Sequence, residues 1–86
     1  MGSKKEKTDL QDVSIELKLQ AKMLEKQAQK IESTEKADRK KILDAMNKGQ
    51  TENAKIYAEN VIRLKKEAIS TRRYGLRMGA LSSKIE

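Results

Sequence analysis

Between Ser3 and Tyr74 the chain contains no proline and one glycine, Gly49. Proline breaks a helix interior by removing a hydrogen bond and clashing with the preceding turn. Glycine costs about 1 kcal/mol there relative to alanine. A chain with one such break can fold into few things, and two long helices joined at Gly49 is the simplest. The apolar residues are mostly Leu, Ile, Ala and Met, and only 2% of the chain is aromatic against 38% charged. Side chains of that kind suit a seam between helices better than the core of a small globule.

The spacing of apolar residues supports the same reading. Leu10, Leu17, Ala21, Leu24, Ala28 and Ile31 follow one another in steps of a heptad, and Ile42 and Ala45 resume the register. Such steps place them on one face of a continuous helix. Glu35 and Asp38 occupy the seam positions between. Lys48 and Gly49 are expected to form the hairpin turn, with Gly49 as a left-handed C-cap and Thr51 as the N-cap of the second helix. A second seam runs through Ala54, Ala58, Val61, Lys65, Ala68, Arg72, Gly75 and Gly79. So short a connection makes the helices antiparallel neighbours. The fold class is all-α: a long antiparallel two-helix hairpin, coiled-coil-like. Residues 1–7 are expected to form a basic tail, 8–48 the first helix, 49–51 the turn and 52–86 the second helix. Folded at Gly49, the chain should bring Glu35 opposite Lys65.

Charge is distributed unevenly around the first helix. Its outward sector carries Lys18, Lys22, Lys26, Lys30, Lys36 and Lys40, with no acid between residues 18 and 40. Four of these lysines stand in an i, i+4 row, an arrangement that costs about 0.2–0.5 kcal/mol per like-charged pair. A helix shaped only for solubility would alternate signs. The net charge is +7, so the ridge points to an acidic partner. Anionic membrane lipid and nucleic-acid backbone both qualify. With only Tyr57 and Tyr74 as stacking platforms and no helix-turn-helix or zinc spacing, nucleic acid is the less favoured partner.

The second helix is apolar over more than one stripe. Ile62, Ile69 and Leu76 lie on one flank of its seam, and Tyr57, Leu64 and Met78 on the other. One partner helix cannot cover that width, so these six residues are expected to pack against further helices or neighbouring copies. Gly75 and Gly79 form a small-xxx-small pair that permits close backbone approach.

With no His and no Cys, the usual nucleophile–base pairs and soft-metal sites are missing. No Gly-x-x-x-x-Gly-Lys-Ser/Thr run exists to hold phosphates. An enzyme is not expected, nor a cofactor or a metal. The readings that remain are a scaffold on an acidic surface, a basic arm gripping nucleic-acid backbone, and a spacer with no acidic partner.

The runs Leu17-Lys18, Ala21-Lys22, Leu24-Glu25-Lys26-Gln27-Ala28, Glu35-Lys36-Ala37, Lys48-Gly49 and Ala58-Glu59-Asn60-Val61-Ile62-Arg63 resemble the N-terminal core of ESCRT-III subunits. The resemblance is closest to the charged multivesicular body protein 1 type and spans about residues 10–86. It implies a subunit that polymerises on endosomal or other cytosol-facing membranes for remodelling, scission and multivesicular body sorting. Its partners would be anionic lipids, other subunits of the family and further copies of itself. A cytoplasmic protein peripheral on those membranes is implied, with Lys18, Lys22, Lys26 and Lys30 towards lipid. The family's later helices, and the motif by which an AAA-type ATPase dismantles the polymer, would lie beyond Glu86.

Overall fold

A computed structural model describes the backbone of residues 2–85 and the side chains of residues 9–85. Helix α1 spans Gly2–Asn47 and helix α2 spans Thr51–Ile85. They lie side by side as an antiparallel hairpin with principal extents of 72 × 13 × 13 Å. Residues 2–7, expected as a tail, continue α1, because Lys4-Lys5-Glu6-Lys7 is helix-forming and no breaker separates it from the packed turns. Met1 and Glu86 lie outside the described residues.

The seam is a strict alternation of three- and four-residue steps. In α1 it runs through Ser14, Leu17, Ala21, Leu24, Ala28, Ile31, Glu35, Asp38, Ile42 and Ala45, all buried or half-buried. In α2 it runs through Ala54, Tyr57, Val61, Leu64, Ala68, Thr71, Gly75, Met78, Ser82 and Ile85. The buried apolar side chains are the alanines Ala28, Ala45, Ala54 and Ala68, so the helices meet through small side chains. A Cβ placed on Gly75 would stand 3.3 Å from Leu24 Cβ and 3.4 Å from the Ala21 carbonyl oxygen. Gly79 has nothing within 4 Å; of the small-xxx-small pair, only Gly75 marks a close approach.

At the turn, Gly49 adopts φ 74°, the left-handed region that glycine enters without strain. The Gln50 amide donates to the Ala45 carbonyl at 2.8 Å and the Gly49 amide to the Met46 carbonyl at 3.1 Å. These are the two bonds of a Schellman motif. The Gln50 carbonyl accepts from the Ala54 amide at 3.0 Å, so Gln50, not Thr51, caps α2. Closing the Schellman motif leaves Gln50 as the half-in residue, and Thr51 becomes the first helical position.

Lys65, expected in the second seam, is exposed, and Leu64 takes its place. The expected and the observed seam of α2 both alternate three- and four-residue steps and share Ala54, Val61, Ala68 and Gly75. The helix turns the residue three after each of these towards α1, so Leu64 and not Lys65 faces inward. Glu35 is 8% exposed and pairs at 2.6 Å with Arg39 of its own helix, so the expected Glu35–Lys65 bridge is replaced by an intrahelical one. Asp38 pairs with Lys41 at 3.6 Å. Arg39 is exposed, so without Glu35 its charge stays in water, and an apolar side chain at position 35 spares the seam the cost of burying a carboxylate. Glu35→Leu should therefore raise the melting temperature, read by circular dichroism. A lower value would show that the Glu35–Arg39 pair is needed in the seam.

The open end of the hairpin is closed by two buried serines. Ser82 Oγ donates to the Ser14 carbonyl at 2.9 Å, and the two hydroxyl oxygens lie 3.0 Å apart. Ser14→Ala removes the hydroxyl–hydroxyl contact and the bond from Ser14 Oγ to the Ser82 carbonyl, but the Ser82 hydroxyl keeps its bond to the carbonyl of residue 14. Each bond lost costs about 0.5–1.5 kcal/mol, so Ser14→Ala should melt below the parent and Ser14→Ala/Ser82→Ala lower still. A double variant that melts with the parent would mean that the hydroxyl pair is not what closes this end.

Candidate functional site: a basic face and an apolar row

Because the seam of α1 faces α2, its opposite sector faces outward. Lys18, Lys22, Lys26, Lys30, Lys36 and Lys40 are all exposed there. Among the described residues, no carboxylate pairs with Lys22, Lys26, Lys30, Lys36 or Lys40. The acids of this stretch are used elsewhere: Glu35 by Arg39, Asp38 by Lys41, and Glu25 and Glu32 by Arg72 of α2. The seam and its flank thus draw the carboxylates inward, and the lysine face keeps its positive potential.

Arg72 is the cross-helix tie. Its guanidinium donates to both Glu25 oxygens at 3.4 Å and also pairs with Glu32. The hydrogen bond to Glu25 raises its pKa further, so the group stays cationic wherever the protein is folded. The tie is open to water, the side chain being 39% exposed, so solvent and salt weaken it. It sets register more than stability. On the other flank the Lys41 ammonium stands 5.7 Å from the Tyr57 ring centroid, within cation–π range.

The six apolar residues assigned to packing divide into two groups. Ile62, Ile69 and Leu76 are exposed at 57%, 49% and 69% and stand in a row at seven-residue steps. Tyr57, Leu64 and Met78 are half-buried in the seam, so the hairpin already engages the second group and the over-wide arc narrows to the exposed row. Beside that row a groove of about 430 Å³ runs between the helices, with Ala68, Ile69 and Leu76 below and Lys36, Arg39 and Arg73 at its rim. No described helix is long and apolar enough to cross a membrane.

These features define a class: an elongated helical hairpin with an exposed basic face and an exposed apolar row. No family model matches the chain, and no solved structure matches it significantly. Curated relatives do. It is 39% identical over 71 residues to charged multivesicular body protein 1 of Dictyostelium discoideum, covering 83% of this chain and 37% of that one. It is 45% identical over 67 residues to charged multivesicular body protein 1B2 of Mus musculus, covering 78% and 34%. With charged multivesicular body protein 1b of Homo sapiens the identity is 42% over 67 residues, again 78% and 34%. The chain belongs to the ESCRT-III family and is of the charged multivesicular body protein 1 type. It spans about a third of the length of the curated relatives it matches.

Proposed function

We propose that the chain is the membrane-docking and assembly hairpin of an ESCRT-III-type scaffold serving multivesicular body sorting. The observation that carries this reading is the exposed lysine face of α1, from which carboxylates are drawn away. A lysine near an anionic leaflet contributes about 1 kcal/mol, so the six together supply enough to hold a rigid rod flat on a surface. The row Ile62, Ile69 and Leu76 supports the second half of the reading. An apolar strip of this length, set between charges, fits the side of a like hairpin better than bulk water. Copies and other subunits of the family are then the partners on that strip, and lipid is the partner on the lysines. Disassembly by an AAA-type ATPase belongs to the whole protein on this reading, since the chain matches only about a third of its relatives' length. The work is that of a scaffold and not of an enzyme, on cytosol-facing membranes such as the endosome's.

The test is negative-stain electron microscopy of the chain on anionic vesicles, beside the variant Lys22→Glu/Lys26→Glu/Lys30→Glu. The parent should coat or deform the vesicles and the variant should leave them bare. If both leave vesicles bare while the parent pellets with nucleic acid, the face serves a nucleic-acid backbone and the membrane reading is wrong.

A further inference from the structure

The outward face of α2 carries a charge pattern of its own. Arg63, Lys66, Arg73, Arg77 and Lys84 are all exposed, and none of them pairs with a carboxylate among the described residues. The one acid between residues 63 and 84, Glu67, lies on a flank of this face, one turn from Arg63 and two from Tyr74. Arg73 and Arg77 stand one turn apart and, with Ser70 and Tyr74, line a shallow concavity of about 220 Å³. Two guanidinium forks beside two hydroxyls suit a phosphate group, which arginine binds in a bidentate manner.

We propose that this face is a second docking surface for an anionic phospholipid leaflet, so that the hairpin bridges two leaflets. The bridging half of the proposal rests on the reading of the lysine face of α1. Each basic face lies away from its own seam, and the seams face each other, so the bodies of the two faces look apart and approach each other along one flank, where Lys36 and Arg73 line the same groove. Register sets them back to back, since Leu24 meets Gly75 and Glu25 meets Arg72. Two helices of about 10–12 Å diameter separate them. That is roughly twice the Debye length of about 8–10 Å at 0.10–0.15 M salt. Away from the flank that Lys36 and Arg73 share, a flat leaflet touching the lysines is therefore screened from the arginine face, which remains available to another surface.

The residues flanking the arginines favour lipid over nucleic acid as occupant. Tyr74 and Leu81 lie one heptad apart beside them, 54% and 50% exposed. Tyrosine and leucine enter the headgroup layer of a bilayer, while a phosphodiester backbone offers Leu81 nothing to bury against. An amphipathic strip with arginine at its centre and apolar residues at its edge is built for that layer.

The experiment measures two quantities on phosphatidylserine-rich vesicles, with phosphatidylcholine vesicles as control. Sedimentation reports binding, and dynamic light scattering reports clustering. The parent should bind and cluster. Arg73→Glu/Arg77→Glu should keep binding within about twofold, because independent faces add their contributions, and should lose clustering altogether. Circular dichroism checks that these exposed substitutions leave the helices intact. Clustering by the arginine variant equal to that of the parent overturns the proposal, since copies joined through their apolar rows would then be the bridge. Loss of all binding in the arginine variant and also in the lysine variant overturns it too, because the two faces would then act as one. Binding lost only in the arginine variant keeps the second face and refutes the lysine reading. If the arginine variant loses retention of duplex DNA while its vesicle clustering persists, the face belongs to nucleic acid and the proposal falls.

Discussion

Reversing Lys22, Lys26 and Lys30 to glutamate is expected to lower the partition of the chain onto anionic vesicles by at least about a hundredfold. Three lysines at about 1 kcal/mol each amount to ~3 kcal/mol, and each 1.4 kcal/mol is a factor of ten. Three new carboxylates facing an anionic leaflet add repulsion of similar size, so the loss should exceed that of the corresponding Lys→Gln variant. Helix stability should change little, because the substitution replaces one like-charged i, i+4 row by another. The attraction should weaken steeply as salt shortens the Debye length. Equal partition of parent, Gln and Glu variants would mean that the lysines are merely solvated. A loss in the Glu variant alone would mean that repulsion, not docking, is being measured.

The gross architecture was legible because it depends on very few residues. A single glycine in a long stretch without proline leaves the chain one place to turn, and Gly49 turns there with φ 74°. The heptad of α1 was equally plain from Leu17 to Ile31. The second seam was harder to read, because leucine and lysine stand together at positions 64 and 65 and both satisfy a loose helical spacing. The spacing from Ala54 and Ala58 leads to Lys65, which the fold at Gly49 would set opposite Glu35, but Glu35 finds Arg39 one turn away on its own helix. A local partner needs no second element to be in place, and it won.

The outward lysines of α1 were visible as an unbroken row free of acids. The cations of α2 were harder to see because Arg63, Lys66, Arg73, Arg77 and Lys84 are spread among exposed apolar residues and, Arg73 and Arg77 apart, stand in no i, i+4 row. Their common face emerges only once Ala54, Ala68, Gly75 and Ser82 are known to be buried. The Ser14–Ser82 contact was illegible for a related reason. A serine at a seam position reads as a flaw in the apolar pattern until the partner across the hairpin is known. Arg72 was read as a seam residue, whereas it spans the seam edge to reach two carboxylates seven residues apart on α1.

The two glycines near the end of α2 should respond to the same substitution with opposite signs. Gly75→Leu is expected to destabilise the hairpin by about 2–3 kcal/mol, the upper part of the usual range for overpacking. Even its Cβ would sit 3.3 Å from Leu24 Cβ and 3.4 Å from the Ala21 carbonyl. The second neighbour is backbone and yields only if α1 moves. The rest of a leucine side chain has no room, so the helices must part at that level, where the Glu25–Arg72 tie is also lodged. A Cβ at Gly79 meets nothing within 4 Å, and Gly79→Leu replaces glycine by a strong helix former, a change that favours the helix by up to ~1 kcal/mol. Thermal melts followed by circular dichroism should therefore place Gly79→Leu above the parent and Gly75→Leu well below it. Gly75→Ala should fall near the parent, since its gain in helix propensity opposes a contact a few tenths of an ångström too tight. If both leucine variants stabilise, the helices do not approach at Gly75, and the register built on Leu24 and Gly75 is wrong. The back-to-back placement of the lysine and arginine faces depends on that register, so this melt also tests the geometry on which the bridging of two leaflets rests.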